Sequence, residues 1–450
     1  MRKYFGTDGV RGIANKDLTP ELAYKLGKSA GYVLTKNFKA NSTLKKKPVF
    51  VIGKDTRISG PMLEYALISG LTSSGVDVIQ LGIIPTPGVA FLTKQIADGG
   101  AMISASHNPF EDNGIKFFNS NGFKLADEIE LQIEYFLENI NELPNPTNDN
   151  IGMTISNKDA ANLYIKFLKD TIDQSFEHLK IVLDCSNGAA STIAPTLFKS
   201  LCADVYTYSA NPDGTNINSG CGSTHPDFLR EKVLEHNADI GLAFDGDADR
   251  LIAVDELGNI IDGDQILYLC AKSLSLKGKL SNNTVVSTVM SNFGFKKALK
   301  KIGVNTVETK VGDRYVLEEM IKGRHCLGGE QSGHIIFSDY NTTGDGILSA
   351  LQLINVLKES SSSLSELLGD FKKYPQELAN IRVNNKKAWE NSPSVNKAIQ
   401  KAEETLSGNG RVLVRASGTE NLIRVMVEGE NLKLVQELTG SIAKEIKNIS

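Results

Sequence analysis

The strongest constraint on the fold is a strand–turn–helix pattern that recurs three times along the chain. Each cycle opens with a short apolar run typical of a buried strand, at residues 49–52, 181–184 and 285–289. Each run is followed by a segment with helical spacing of its apolar residues, near residues 62–74, 194–201 and 295–302. Because strands that alternate with helices pair mostly in parallel, the pattern predicts three related α/β domains with mixed or parallel sheets.

The last part of the chain has a different pattern. Residues 412–415 and 422–427 resemble paired strands around a turn at 418–420, and residues 432–446 form an amphipathic helical pattern. This predicts a smaller C-terminal α+β domain. A polar stretch at 141–152 and the segment after an acidic loop near Asp249 mark two of the boundaries. We therefore predict domains at residues 1–150, 151–253, 254–370 and 371–450.

Composition limits the class of protein. The 450 residues are 41% hydrophobic and 23% charged, as in soluble globular chains of several domains. A net charge of -4 provides no basic field for nucleic acid or an anionic membrane. The start lacks a signal-peptide pattern, and the five scattered cysteines contain no CxxC pair. We expect a cytoplasmic protein with free thiols and with neither a nucleic-acid nor a membrane partner.

The segment ISASHNPFEDNGIKFF, residues 103–118, contains a candidate nucleophile. Ser106 follows an apolar strand, and strand ends are where α/β folds place their sites. A serine hydroxyl needs a base or a metal to become reactive, and we predict Lys116 as the group that moves the proton, with His107 as the second candidate. The alternative is a simple turn that ends a strand at Asn108 and Pro109.

The segment AFDGDADR, residues 243–250, places Asp245, Asp247 and Asp249 at alternate positions after an apolar run. Three carboxylates so close in sequence repel one another unless a cation neutralises them. Carboxylate oxygens suit Mg²⁺, which keeps positions open for water or a phosphate. The loop therefore predicts a magnesium site, with Ser106 or its phosphate as the fourth ligand. A solvated acidic turn is the alternative.

The same loop has the carboxylate spacing of a calcium-binding EF-hand if Glu256 is counted as position 12. Position 6 of that loop requires a glycine for its sharp turn, and this chain has Arg250 there. Apolar, strand-like runs flank the loop on both sides, where an EF-hand has helices. The sequence therefore argues against a calcium sensor.

Two glycine-containing loops carry groups that bind sugars and phosphates. In GGEQSGH, residues 328–334, Glu330, Ser332 and His334 can exchange hydrogen bonds with ring hydroxyls. In RASGTE, residues 415–420, an arginine precedes hydroxyls and consecutive N–H groups, the composition of an anion site. A plain hairpin turn is the alternative for the second loop. Further cations that we expect to attract an anionic substrate are Arg11, Lys54, Arg57, Lys310 and Arg314.

Together, SASHNP, DGDADR, GEQSGH and RASGTE, with FGTDGVRG at the start, resemble the α-D-phosphohexomutase superfamily over nearly the whole chain. The amino-acid sequence of the serine loop and the presence of Gln331 in GEQSGH are most similar to the glucosamine branch of that superfamily. Phosphomannomutases and phosphoglucomutases more often have GEMSGH and TGSHNP. The resemblance implies four domains around one central cleft, each of which contributes one of the four loops.

The resemblance also implies an activity, the interconversion of glucosamine 6-phosphate and glucosamine 1-phosphate by a phosphoserine enzyme. Such an isomerase supplies precursors of UDP-N-acetylglucosamine and of the cell wall. Its cofactors would be one Mg²⁺ per chain and glucosamine 1,6-bisphosphate, which serves as intermediate and activator. Besides the sugar phosphate, a second copy of the chain and an activating kinase are candidate partners.

The resemblance, taken together with the chemistry of the individual residues, predicts the following residue roles. Ser106 would carry the phosphoryl group, with Arg11, Lys116 and His107 as further catalytic residues. The metal ligands would be Ser106, Asp245, Asp247 and Asp249. The substrate-binding set would be Ser104, Arg250, Lys310, Glu330, Ser332 and His334. The non-reacting phosphate would be held by Arg415, Ser417, Gly418, Thr419 and Arg424.

Three other functions compete with this one. A phosphoglucomutase or phosphomannomutase of the same superfamily differs only in the sugar. A metal-dependent phosphatase would use the same groups but release phosphate to water. A non-catalytic sugar-phosphate-binding protein would leave Ser106 and the aspartates without a chemical role.

Overall fold

The computed structural model describes residues 3–6, 8–36, 47–385, 389–416 and 421–449. The chain forms two compact units, which we describe separately. The first consists of residues 1–290 and 304–368, and the second of residues 291–303 and 369–450. Three mixed sheets in the first unit and one antiparallel sheet in the second confirm the predicted α/β class with a smaller C-terminal α+β part.

The first sheet and its helices come from the N-terminal third of the chain. The elements are β1 (Val10–Ile13), α1 (Pro20–Thr35), β2 (Val49–Lys54), α2 (Gly60–Ser73), β3 (Asp77–Ile83), α3 (Thr86–Ile96), β4 (Gly99–Ile103), β5 (Asp112–Asn119), α4 (Asp127–Glu138) and β6 (Thr154–Ser156). The strand order is β1-β5-β4-β2-β3-β6. Strands β4, β2, β3 and β6 run parallel, whereas β1 and β5 are antiparallel to their neighbours. The serine loop therefore joins the carboxyl end of a central strand, β4, to β5.

Helices α1 and α2 pack closely because glycines lie where they meet. A Cβ atom at Gly70 would lie 2.0 Å from the carbonyl oxygen of Tyr24, and one at Gly27 would lie 2.3 Å from that of Leu67. Thr19 caps the start of α1, since its side chain accepts the Leu22 N–H, and Pro20 is the first residue of the helix. This packing covers the face of the sheet formed by the buried strands β2 and β4.

The second sheet carries the acidic loop. Its elements, after the connecting helix α5 (Ala160–Lys169), are β7 (Lys180–Asp184), α6 (Ala190–Ser200), β8 (Asp204–Tyr208), α7 (Pro226–His236), β9 (Ile240–Phe244), β10 (Leu251–Asp255) and β11 (Ile260–Ile261). The strand order is β11-β10-β9-β7-β8, with β9, β7 and β8 parallel. Strand β10 is antiparallel to β9, so the acidic loop is the turn between two fully buried strands.

The third sheet follows a capping box in which Asp262 and Gln265 begin helix α8. Its elements are α8 (Gly263–Leu276), β12 (Thr284–Thr288), α9 (Phe293–Lys301), β13 (Asn305–Thr309), α10 (Asp313–Gly323), β14 (Leu327–Gly329), β15 (Ile335–Phe337), α11 (Gly346–Ser360) and α12 (Leu364–Leu367). Helix α9 is part of the second unit although it lies between β12 and β13 in the chain. The strand order is β13-β12-β14-β15, and the loop with Glu330 joins β14 to the antiparallel β15.

The second unit pairs three strands with two amphipathic helices. After α9 its elements are β16 (Gln376–Arg382), α13 (Pro393–Leu406), β17 (Gly410–Ala416), β18 (Leu422–Gly429) and α14 (Leu432–Asn448). The antiparallel order β16-β18-β17 confirms the predicted strand pair and closing helix. Short 3₁₀ turns in the first unit complete the described elements at Ile140–Glu142, Asn148–Asn150 and Ser281–Asn283.

Two further expectations concern the whole chain. Every cysteine is a free thiol, as predicted. Among the helices of the described residues, none combines the length and hydrophobicity that a bilayer crossing requires.

Candidate active site

Loops from all three sheets of the first unit surround one cavity of about 560 Å³. They are the serine loop after β4, the acidic loop after β9 and the Glu330 loop after β14. The lining residues are Tyr4, Gly6, Asp8, Gly9, Arg11, Ser106, His107, Lys124, Asp249, Arg250, Val311, Gly312, Asp313, Glu330 and His334. A cavity of this size accommodates a small polar molecule such as a phosphorylated sugar.

Ser106 has a backbone conformation that only its surroundings can stabilise. Its φ of 53° lies in the left-handed region, which residues with a Cβ atom rarely adopt. Its N–H donates to Ser104 Oγ at 2.9 Å, and its carbonyl oxygen accepts from Arg57 Nη2 and Asn218 Nδ2, each at 2.9 Å. This backbone conformation determines the direction in which the Ser106 hydroxyl points.

Arg57 is the main support of the serine loop. Its fully buried guanidinium group pairs with Asp55 through Nε at 2.8 Å. Its remaining N–H groups donate to the four loop carbonyl oxygens of Ser106, Asn108, Pro109 and Asp112. The expectation that Arg57 attracts substrate is therefore wrong, because every N–H of its guanidinium group is already used inside the protein.

The hydroxyl of Ser106 reaches the acidic loop, 139 residues later in the chain. Its Oγ donates to Asp245 Oδ2 at 2.6 Å. Oxygen atoms of Asp245, Asp247 and Asp249 all lie within 4.8 Å of one another, and all three residues are buried. The structure thus brings together the four residues predicted as metal ligands.

Burial and neighbouring charges shift the pKa values of Asp245 and Asp249 in opposite directions. Burial, together with the charges of Asp249 and Asp247, raises the pKa of Asp245 well above its ordinary value. Burial acts in the same direction on Asp249, but His334, Lys116 and Arg250 outweigh it and lower its pKa. Three neighbouring carboxylates in a buried site cannot all ionise cheaply without a positive ion between them.

The donor set fits Mg²⁺. Asp247 Oδ1 and Asp249 Oδ1 are buried and have no hydrogen-bond partner, which is costly unless an ion or water meets them. Carboxylate and hydroxyl oxygens are the ligands that Mg²⁺ prefers, and the neighbouring cavity leaves room for its water or phosphate ligands. The aspartates could therefore hold such an ion, and Ser106 Oγ lies beside them.

Asp247 is oriented by two donors to its other oxygen. Oδ2 accepts from Thr86 Oγ1 at 2.6 Å and from Lys116 Nζ at 2.8 Å. Lys116 also lies 3.0 Å from Asp8 Oδ2. Burial disfavours its charge, but Asp247, Asp8 and Asp249 outweigh burial and raise its pKa. Lys116 is thus a charged, fully paired group beneath the aspartates, and it does not line the cavity.

His107 has the opposite character. It lines the cavity, and its Nδ1 lies 3.4 Å from Ser106 Oγ. Burial and the nearby charges of Arg250 and Arg11 lower its pKa, which favours a neutral ring that can accept a proton. Of the two proton-transfer candidates, His107 is the one next to the serine hydroxyl.

On the opposite wall, Glu330 faces the cavity and its Oε1 accepts the Gly312 N–H at 3.0 Å. His334 also lines the cavity, but its ring is held internally. Nε2 accepts the Gly344 N–H at 3.1 Å, which places the proton on Nδ1, 3.6 Å from Asp249. His334 therefore supports Asp249.

Three predicted substrate-binding residues do not line the cavity. Ser104 is fully buried, and it donates to Asp55 Oδ2 at 2.7 Å and accepts from Ser106 N, so it supports the serine loop. Lys310 and Ser332 are exposed outside it. The Lys310 ammonium lies 6.0 Å from the centre of the Tyr315 ring.

The predicted cations divide into two groups. Arg11 and Arg250 line the cavity, with Arg11 paired to Asp8 and Arg250 Nε 3.9 Å from Asp249 Oδ1. Lys54 pairs with Glu64 and Arg314 with Asp127, both outside the cavity lining. The prediction that these last two cations hold substrate is wrong, because their charges are used in ion pairs elsewhere.

Several site residues were not predicted from the sequence. Asp8 lies in FGTDGVRG, and Asp313 lies between the predicted cations Lys310 and Arg314, so the sequence carried a signal for both aspartates. Thr86, Lys124 and Asn218 lie in segments of ordinary composition. Only the contacts of the folded chain place these three at the site.

In the second unit, Arg415 and Arg424 lie directly opposite each other on the paired strands β17 and β18. Burial and the charge of Arg424 lower the pKa of Arg415. Like charges on facing positions destabilise a strand pair unless an anion meets them. The predicted phosphate-binding residues Ser417, Gly418 and Thr419 lie outside the described residues.

Comparison with known proteins defines the class. Four phosphoglucomutase/phosphomannomutase family models match the chain, alpha/beta/alpha domains I, II and III at residues 2–144, 162–258 and 262–374 and the C-terminal domain at residues 378–445. The chain therefore belongs to the phosphoglucomutase/phosphomannomutase family, and the resemblance to α-D-phosphohexomutases is confirmed.

Individual relatives are more specific. The chain is 55% identical over 449 residues to a protein of Brevibacillus brevis named phosphoglucosamine mutase, covering 99% of both chains. It is 56% identical over 448 residues to the phosphoglucosamine mutase of Halalkalibacterium halodurans, again covering 99% of both. Among solved structures, a phosphoglucomutase/phosphomannomutase family protein of Burkholderia thailandensis has a TM-score of 0.81 at 23% identity, covering 98% of this chain and 96% of that one. The last comparison supports the fold alone.

The hydrogen bond from Thr86 to Asp247 generates a prediction about metal binding. We expect Thr86→Val to weaken Mg²⁺ affinity about 10- to 100-fold, because Asp247 loses a donor that orients it. Thr93→Val is the matched control, since Thr93 is a buried threonine of the same helix whose hydroxyl donates to the Val89 carbonyl oxygen at 2.7 Å. Titration calorimetry measures both, and equal affinities of the two variants would contradict the assignment.

Arg57 generates a prediction about stability. We expect Arg57→Lys to lower the free energy of unfolding by about 3 kcal/mol, because an ammonium cannot satisfy the loop carbonyls and Asp55 together. Arg230→Lys, at an exposed arginine paired with Asp227, should change it by about 0.5 kcal/mol or less. Urea denaturation measures both, and similar effects of the two substitutions would show that Arg57 does not support the loop.

Proposed function

We propose that this protein interconverts glucosamine 6-phosphate and glucosamine 1-phosphate, an isomerase reaction that proceeds through phosphorylated Ser106. The observation that carries the proposal is the 2.6 Å hydrogen bond from Ser106 Oγ to Asp245, which is one of three clustered carboxylates that fit Mg²⁺. Relatives named phosphoglucosamine mutase, 55% identical over the whole chain, support glucosamine over glucose or mannose as the sugar.

The proposed reaction consists of two phosphoryl transfers. In the first, the phosphorus–Oγ bond of phosphoserine 106 breaks and a bond forms to the free hydroxyl oxygen of the sugar phosphate, which gives a bound 1,6-bisphosphate. The sugar then reverses its orientation, and Ser106 Oγ takes the other phosphoryl group. The enzyme is phosphorylated again, and the sugar now carries its phosphate at the other position.

Positioning is the main contribution of the chain to such a transfer. Arg57, Ser104 and Asn218 hold the serine loop from behind, and the three aspartates would hold Mg²⁺ beside Oγ. The ion would stabilise the charge on the transferring phosphoryl oxygens. Arg11 and Arg250, at the cavity wall, are placed to donate to the same oxygens, and Glu330 to accept from ring hydroxyls.

Each transfer also moves one proton from the attacking hydroxyl. His107 Nδ1, at the cavity wall and 3.4 Å from Ser106 Oγ, is a group that can accept it. Lys116, our other candidate, is protonated and paired with Asp247 and Asp8. Its positive charge would therefore stabilise negative charge that develops at the neighbouring phosphoryl group. We propose His107 as the proton-transferring residue and Lys116 as an electrostatic one.

The second unit would hold the phosphate that does not react. The support is the facing pair Arg415 and Arg424, since two opposed guanidinium groups form a strong site for a dianion. The roles of Ser417, Gly418 and Thr419 in this site stay predictions. So do one Mg²⁺ per chain, the bisphosphate activator, the homodimer, the activating kinase, the cytoplasmic location and the domain boundaries at 150, 253 and 370.

The proposal is tested by the reaction and by the phosphorylated residue. In coupled assays, we expect turnover of glucosamine 1-phosphate to exceed that of glucose 1-phosphate and mannose 1-phosphate. Intact-mass spectrometry should find one added phosphate per chain, on the peptide that contains Ser106. Ser106→Ala should remove both the phosphate and at least 99.9% of the activity, roughly the three or more orders of magnitude expected for loss of a nucleophile.

Ser29→Ala is the control, because Ser29 is a buried serine of α1 remote from the cavity lining. It should retain full activity and the phosphate. Steady release of inorganic phosphate without formation of the isomer would indicate a phosphatase instead. Full turnover by Ser106→Ala would exclude a phosphoserine mechanism.

A further inference from the structure

Three carboxylates, two ammonium groups and the imidazole of His334 form a closed ring around the cavity. Lys124 Nζ lies 2.6 Å from Asp8 Oδ1 and 2.5 Å from Asp313 Oδ2. His334 lies 3.6 Å from both Asp313 and Asp249. Lys116 closes the ring, 3.9 Å from Asp249 and 3.0 Å from Asp8. Each carboxylate of the ring thus has a nitrogen group on either side.

Lys124 is the member of the ring that joins the first sheet to the third. It follows β5 of the first sheet, whereas Asp313 is the first residue of α10, which packs on the third sheet. The Lys124 side chain is only 15% exposed and lines the cavity. An ammonium group held between two carboxylates at 2.5 and 2.6 Å has little freedom to bind another ligand. Its contribution therefore acts through Asp8 and Asp313.

On one side of Lys124, Asp313 is linked to Glu330, the carboxylate proposed to bind the sugar hydroxyls. Gly312 precedes Asp313 and donates its N–H to Glu330 Oε1 at 3.0 Å. The φ of Gly312 is 128°, a conformation that residues other than glycine rarely adopt, so this turn is set by its anchors. A shift of Asp313 therefore moves the donor that orients Glu330.

On the other side of Lys124, Asp8 is linked to the residues proposed to take part in phosphoryl transfer. Asp8 pairs with Lys116, which holds Asp247, and with Arg11. Arg11 Nη1 in turn lies 3.4 Å from the carbonyl oxygen of Ala105, directly before Ser106. Lys124 is thus connected through two residues on one side to Glu330 and through two on the other to the serine and metal loops.

We propose that Lys124 is a positioning residue that sets the separation between Glu330 and Ser106, and thus between the bound sugar and the phosphoryl group. The inference rests on the proposed function. Without the ammonium group, Asp8 and Asp313 would repel each other across the cavity wall, and α10 would move away from the first sheet. Because phosphoryl transfer requires close alignment, a displacement of about 1 Å can lower the rate about 100-fold.

The test compares Lys124→Met with Arg314→Met. Arg314 also joins α10 to the first-sheet segment, through Asp127 and the Leu125 carbonyl oxygen, but it lies outside the cavity lining. We expect Lys124→Met to lower kcat per phosphorylated chain about 10- to 100-fold, and Arg314→Met to lower it less than about 3-fold. Equal effects would mean that Lys124 is only one of several contacts between the sheets, and the inference would be wrong.

A double-mutant cycle separates positioning from independent effects. Asp313→Asn keeps the shape of the side chain and removes the charge that Lys124 holds. If the two residues act as one bridge, the double variant should lose no more activity than the worse single variant. Losses that multiply would overturn the inference. Lys124→Arg, which can still bridge two carboxylates, should keep most of the activity, and it carries the test if Lys124→Met fails to fold.

The outcome is distinguishable from that of the proposed function. Wild-type protein that does not convert glucosamine 1-phosphate contradicts the function itself. Wild-type protein that is active, beside a Lys124→Met variant with the same kcat and the same phosphate content at Ser106, contradicts only the role of Lys124. Thermal unfolding midpoints of the Met variants at 124 and 314 should agree within a few degrees, which shows that the kinetic difference does not come from unfolded protein.

Discussion

Mutual repulsion of three buried carboxylates is the constraint on which the site depends. Asp245, Asp247 and Asp249 lie within 4.8 Å of one another at the end of β9, where burial and the charges of the other two carboxylates raise the pKa of Asp245. The chain offsets part of this cost with Lys116, Arg250 and the Thr86 hydroxyl, but among the described residues one oxygen of Asp247 and one of Asp249 have no hydrogen-bond partner. A divalent cation held by these carboxylates would offset the remaining repulsion, and Ser106 Oγ lies 2.6 Å from Asp245 Oδ2.

The serine loop faces the aspartates because the chain stabilises a backbone conformation that it would otherwise avoid. The left-handed Ser106 costs on the order of 1–3 kcal/mol, and the hydrogen bonds from Arg57, Asn218 and Ser104 offset it. Arg57 and Ser104 follow strand ends of the first sheet, and Asn218 lies in the connection before α7 of the second, so residues from two sheets hold the serine loop.

Much of this could be predicted from the sequence because the signals are local. The periodicity of apolar residues predicted the three α/β domains and the C-terminal strand pair. The short motifs contained Ser106, the aspartates and Glu330. Groups that act through long-range contacts could not be predicted in this way. Arg57 reads as an ordinary surface cation in GKDTRISG, and only its burial beneath the serine loop shows that it supports the backbone. Lys124 and Thr86 have no distinctive neighbours in sequence, and Lys310 and Ser332 lie in the right motifs but outside the cavity.

The central claim is that one divalent cation is shared by the aspartates and the phosphate on Ser106. Electron–nuclear double resonance of the Mn²⁺-substituted, phosphorylated protein measures it most directly, since a phosphate oxygen bound to Mn²⁺ gives a resolved ³¹P coupling. We expect that coupling in the wild-type protein and its loss in Ser106→Ala, with Mn²⁺ still bound. Mn²⁺ bound at the aspartates of the phosphorylated protein without any ³¹P coupling would contradict the account.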